Sequence, residues 1–102
     1  MNDKVYHVTQ TDNLRNIIKE GLLPQIGKYA KTMGETEPGI WVFPNMEDAL
    51  EMIPVWLEPF YGNDLSILEI SLPNNAEIES TGSEYEYVLK SPIRPEYIRI
   101  VI

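Results

Sequence analysis

The chain has 102 residues, 16 Asp plus Glu against 8 Lys plus Arg for a formal net charge of -8, one histidine and no cysteine. That length predicts a single domain with one modest core and excludes two domains. The absence of cysteine excludes a disulfide framework, a thiolate nucleophile and a sulfur-ligated metal. A lone histidine builds no His-rich metal site either, so no metal is expected and a reducing, cytoplasmic setting fits best.

In chain order, Val5 to Val8 reads as a short strand. Thr11 and Asp12 give a helix N-cap signal, and Leu14, Ile17 and Ile18 recur at helical spacing until Gly21 stops the turn. From Leu22 to Gly39, Pro24, Gly27, Gly34 and Pro38 interrupt any periodicity and predict a long irregular loop. Ile40 to Phe43 is a compact apolar strand. Pro44-Asn45 then caps a second helix with Glu47 and Asp48 in its first turn, and Pro54 is expected to kink or end it.

Beyond the turn at Gly62-Asn63-Asp64, Leu65 to Leu72 reads as a strand with Ile67, Glu69 and Ser71 on one face and Leu68 and Ile70 on the other. Glu84 to Lys90 and Tyr97 to Ile102 are strand-like and are separated by a Pro92 to Pro95 corner. The predicted order is β-α-loop-β-α-β-β-β. Early helices with late antiparallel strands indicate an α+β fold, and no repeat or linker marks a second module.

The charge is uneven. Between Lys31 and Lys90 there is no basic residue, and twelve of the sixteen acids fall there. Such a stretch repels phosphates, which disfavours a nucleic-acid partner, and no apolar run is long enough to cross a bilayer, so no membrane partner is expected. A solubilising surface accounts for most of these acids. Two sharper readings remain: some of the carboxylates are catalytic, or an acidic face mimics nucleic acid and occupies a basic partner protein.

Taken singly, the candidate residues have plain explanations. His7, on the strand face of Val5, reads as a core or edge histidine. Glu84 and Glu86 flank Tyr85, so in a strand both carboxylates point the same way, roughly 6 to 7 Å apart. On pattern alone a solvated strand face accounts for them. In a cleft, two like charges raise at least one pKa and can stabilise a developing positive charge. Trp41, Phe43, Tyr85 and Tyr87 read as core aromatics.

Three segments in order resemble the three blocks of the ADP-ribosyltransferase superfamily and together span most of the chain. "YHVTQTDNLRNIIKEGLLP" resembles the strand-helix opening of DNA-modifying ADP-ribosylating toxins and RNA 2'-phosphotransferases, with His7 at the position that holds the adenosine ribose of NAD. "GIWVFPNMEDAL" is similar to the Gly-Ile-Tyr-Phe block of poly(ADP-ribose) polymerases, with Trp41 at the aromatic position of their His-Tyr-Glu triad. "SEYEYVLKSPIRPEYIRIV" resembles the final glutamate-bearing strand. Counted back from Tyr97, Glu86 matches the toxin branch and Glu84 the polymerase branch, and the two form the Glu-x-Glu of arginine-modifying members, whose second glutamate is catalytic.

The resemblance implies a compact single-domain α+β fold of mostly antiparallel strands with two short helices. It implies an enzyme that binds NAD as substrate and transfers ADP-ribose to an acceptor, expected to be a protein. Glu86 would stabilise an oxocarbenium-like transition state through the ribose 2'-hydroxyl as nicotinamide leaves, and Glu84 would orient or deprotonate the acceptor. His7, Thr9, Trp41, Tyr29 and Gly39 would contact NAD, with His7 donating to the adenosine ribose.

Where the polymerase branch has a Ser and a Tyr for nicotinamide, ungapped counting from Trp41 gives Ala49 and Met52, leaving Tyr29, Phe60 or Tyr61 to stack on the ring. The rival expectation is a non-catalytic acidic binder or inhibitor, phage or mobile-element encoded, that sequesters a nucleotide or blocks a basic protein.

Overall fold

The computed structural model describes residues 3–24, 38–62, 64–82 and 86–102. Among them, six strands pair antiparallel in two three-stranded sheets. In the first sheet β1 (Lys4–Gln10) and β6 (Ile98–Ile100) flank β3 (Leu65–Ser71); in the second, β2 (Ile40–Val42) and β4 (Ile78–Ser80) flank β5 (Tyr87–Leu89). Two helical segments complete an α+β fold: α1 (Leu14–Glu20), and a longer one that starts as α2 (Met46–Met52) and finishes as α3 (Glu58–Tyr61).

β1 is longer than the apolar pattern predicts, because it pairs along its whole length with β3, from Lys4 opposite Ser71 to Gln10 opposite Leu65. The sheets are joined where β1 meets the end of β2: the Tyr6 and Phe43 amides donate to each other's carbonyls at 2.9 and 2.7 Å. This seam sets β1, β2 and β5 side by side. Ile78–Ser80 is a strand the pattern does not predict, since its three residues form a polar, mostly exposed edge on β5.

The first sheet is covered on both faces, which explains why Ser66 to Ile70 is buried without a break. On one face Val5, Leu68 and Ile70 pack with Ile40, Val42 and Leu89 of the second sheet, closed by Ile17, Leu22 and Ile93. On the other face Ile67 packs with Phe43 and with Ala49 of α2. Fully burying a Leu, Ile or Val contributes roughly 1.5 to 3 kcal/mol, so this strand is the main source of cohesion.

The helix ends are built differently from each other. Thr11 and Asp12 do not cap α1: they wind a single 3-10 turn, and the Thr11 hydroxyl is engaged with that of Ser66 on β3 at 2.9 Å. Ile17 faces the core while Ile18, about 100° further round the helix, is exposed. Asn45 does cap α2, its Oδ1 accepting from the Asp48 amide at 2.8 Å. Pro54 neither ends nor simply kinks that helix. The winding loosens to a π-helix over Ile53–Leu57, which accommodates the missing proline N–H and its ring, and the chain regains α geometry until Gly62.

Candidate functional site

Along one face of β1 the side chains change from apolar to polar. Val5 is fully buried in the first core, and His7 and Thr9, the next two on that face, leave it to line a cleft of about 330 Å³. The opposite wall is α1 with its N-cap: Asn13 at the cap, Asn16 and Glu20 around Ile17 on the helix, and Gly21, Leu22 and Leu23 beyond its end. These helix residues recur at i, i+3, i+4 and i+7, so one stripe of α1 is polar above an apolar anchor. Asn13, Asn16 and Glu20 escape the sequence reading because they are ordinary surface residue types. Their shared periodicity with Ile17 was the available signal.

His7 is fixed by an acceptor. Its Nδ1 lies 2.7 Å from the carbonyl oxygen of Trp41, and a carbonyl can only accept, so Nδ1 carries the proton. Burial lowers the His7 pKa below 6.5, only partly offset by this hydrogen bond, which keeps the ring neutral at physiological pH. With Nδ1 protonated in a neutral ring, Nε2 carries the lone pair and can only accept. Thr9 is buried, and its Oγ1 accepts from the Asn13 side-chain amide at 3.2 Å, leaving the Thr9 hydroxyl proton to donate elsewhere.

Gly21 shapes the floor. It has φ of 81°, and a Cβ there would lie 2.1 Å from the Ile93 carbonyl oxygen. That close approach lets Leu22 and Ile93 exchange amide-to-carbonyl bonds of 2.8 and 2.9 Å, tying the exit of α1 to the last turn before β6.

Of the expected residues, only His7 and Thr9 are among the described lining of this cleft. Trp41 is tied to His7 through its carbonyl without lining the cleft, and its indole Nε1 is buried without an acceptor among the described residues. Gly39 lies against β5, where a Cβ would come 2.4 Å from Val88 Cγ1. Glu86 stands just before β5 and is not among the cleft-lining residues. Since Val42 pairs with Tyr87, Glu86 falls at the level of Phe43, roughly 10 Å from β1 at two strand spacings. It is partly buried, and that desolvation raises its carboxyl pKa above 4.5. Glu84 and Tyr29 lie outside the described residues, as do the side chains of Phe60 and Tyr61. Ala49 and Met52 belong to the second core, on the face of the first sheet turned away from His7.

A second ionisable group occupies that far face. Glu69 takes Lys4 and Arg99 at 3.4 and 3.1 Å and accepts from the Tyr6 hydroxyl at 3.2 Å. Burial alone would raise its pKa, but Arg99, Lys4 and the Tyr6 hydroxyl together hold it below the ordinary value. Its partners are all in place, so it is a structural tie between β1, β3 and β6. Among the described residues no three His, Asp or Glu side chains converge as a metal site requires, and no helix is long and apolar enough to cross a membrane. No protein-family model matches the sequence, and no curated protein matches it significantly.

Proposed function

We propose that this chain is an ADP-ribosyltransferase-like protein that binds NAD through the His7 cleft and transfers ADP-ribose to an acceptor, most simply a protein. The observation carrying this reading is the cleft itself. It is polar, it is bounded by a neutral, oriented histidine, and its volume of about 330 Å³ suits a nucleoside and not a whole dinucleotide. The remainder of NAD would extend beyond it.

Bound NAD supplies a glycosidic bond to nicotinamide whose cleavage leaves positive charge on the ribose. His7 Nε2 and the Thr9 hydroxyl accept from and donate to the nucleoside hydroxyls and fix its orientation. Glu86 sits where burial makes its negative charge costly, so that charge gains most from a neighbouring positive one. By register Glu86, level with Phe43, falls on the sheet face turned away from His7, so its part in transfer is supported by its place in the resemblance and its desolvation and not by adjacency to the cleft.

A second reading has an observation of its own. Among the described residues no Lys or Arg lines the cleft, and Glu86 is not in its lining. A chain that held a nucleotide there without cleaving it would be a binder or an inhibitor. Incubation with labelled NAD, alone and with cell lysate, separates the two. Glutamate-dependent release of nicotinamide, abolished in the Glu84→Gln/Glu86→Gln double variant, supports transfer and lets the labelled species name the acceptor. Release no greater than the variant's overturns the enzyme reading in favour of the binder.

A further inference from the structure

We propose that Glu20 makes the cleft selective for a ribose without a phosphate, so that the chain takes NAD and rejects its 2'-phosphorylated form. The inference rests on the reading that the cleft holds the nucleoside end of NAD. Among the described lining residues Glu20 is the sole formal charge, since His7 is neutral and the rest are uncharged. A carboxylate and a neutral ring nitrogen are both acceptors, and the two hydroxyls of an unmodified ribose are both donors, so the pairing is complementary.

A phosphate is disfavoured here by charge: the Thr9 hydroxyl and the Asn13 and Asn16 amides can donate to it, but none of them is positive. Its oxygens accept only, and they would face the Glu20 carboxylate with no Lys or Arg among the described lining residues to neutralise them. Two backbone amides beside Glu20 are already taken. The amide of Gly21 already donates to the Ile17 carbonyl at 2.8 Å and that of Leu22 to the Ile93 carbonyl at 2.8 Å. Glu20 also occupies the last position of α1, so the carbonyl end of the helix adds negative potential to the same place. Lys19, its neighbour, is not part of the lining. The nearest source of discrimination between a hydroxyl and a phosphate is thus one exposed, replaceable side chain.

Titration calorimetry with NAD and with NADP on wild type, Glu20→Gln and Glu20→Lys tests this, circular dichroism verifying that each variant is folded. Wild type is expected to bind NAD at least about tenfold more tightly than NADP. Glu20→Gln should shrink that ratio by weakening NAD and relieving NADP, and Glu20→Lys should invert it. Equal affinities in wild type, or a ratio unchanged in Glu20→Gln while NAD still binds, would overturn the assignment to Glu20 and leave the nucleotide reading standing. Failure of the wild type to bind either dinucleotide would overturn both.

Discussion

Gly21 and Gly62 provide an internally controlled test of what shapes the cleft floor. Both follow a helix, with nearly identical backbone angles: φ 81° and ψ -166° at Gly21, φ 82° and ψ -175° at Gly62. Alanine at either position must adopt a conformation essentially reserved for glycine, at a cost of about 1 to 3 kcal/mol. At Gly62 that is the whole penalty, because nothing among the described residues lies within 4 Å of the added Cβ. At Gly21 the Cβ would meet the Ile93 carbonyl oxygen at 2.1 Å, a backbone atom that cannot rotate away.

Relief there requires parting Leu22 from Ile93 and losing their two hydrogen bonds, at about 1 kcal/mol each. Gly21→Ala should therefore cost about 3 to 5 kcal/mol in total and exceed Gly62→Ala by about 2 kcal/mol. For a chain this size that difference is a gap of roughly 8 to 16 °C in Tm. Urea and thermal denaturation followed by circular dichroism measure both variants. Equal destabilisation would refute the argument that the Ile93 contact, and not the glycine angle, sets the floor.

Asn45→Ala should cost about 1 kcal/mol in urea denaturation, and Asn45→Asp far less, because the capping acceptor is retained. Leu68→Ala, at a fully buried position in the central strand, should cost about 2 to 5 kcal/mol and is read from the same curves. His7 is held neutral with a lowered pKa, so as pH falls below 6.5 the unfolded chain gains a proton the folded chain resists. Stability should fall from there down through the folded pKa, and His7→Gln should remove that slope. Glu69 loses its stabilising contribution in a lower window, from 4.5 down through its depressed pKa, so acid titration of the His7 variant should retain that second decline. Glu86 has a raised pKa, so its charge opposes folding as pH rises through it, and Glu86→Gln should unfold at a slightly higher temperature at neutral pH.

The sequence was most informative where one local force acts alone. The alternation in Leu65 to Ser71 specified its two faces, and Asn45 before Glu47 and Asp48 specified a cap. It was least informative where a distant partner decides. Thr11 carries a cap signal but finds Ser66 across the sheet, and Pro54 carries a stop signal but sits in a helix loose enough to hold it. At the candidate site, His7 was visible as the single histidine. Its tautomer depends on the Trp41 carbonyl, 34 residues away, and no pattern reveals it. Asn13, Asn16 and Glu20 became meaningful only once β1 was placed opposite them.

The order in which β3 acquires its neighbours bears on how the chain is made. Tyr6 and Glu69, joined across β1 and β3, are 63 residues apart, and β6 reaches β3 only after the second sheet has been threaded. Contacts this remote close slowly. During synthesis Ser66 to Ile70 leaves the ribosome with one edge waiting for residues not yet translated, and the face of Leu68 and Ile70 still lacks Leu89 and Ile93. That interval is the chain's greatest exposure to edge-to-edge aggregation, and slowing elongation just after β3 should lengthen it.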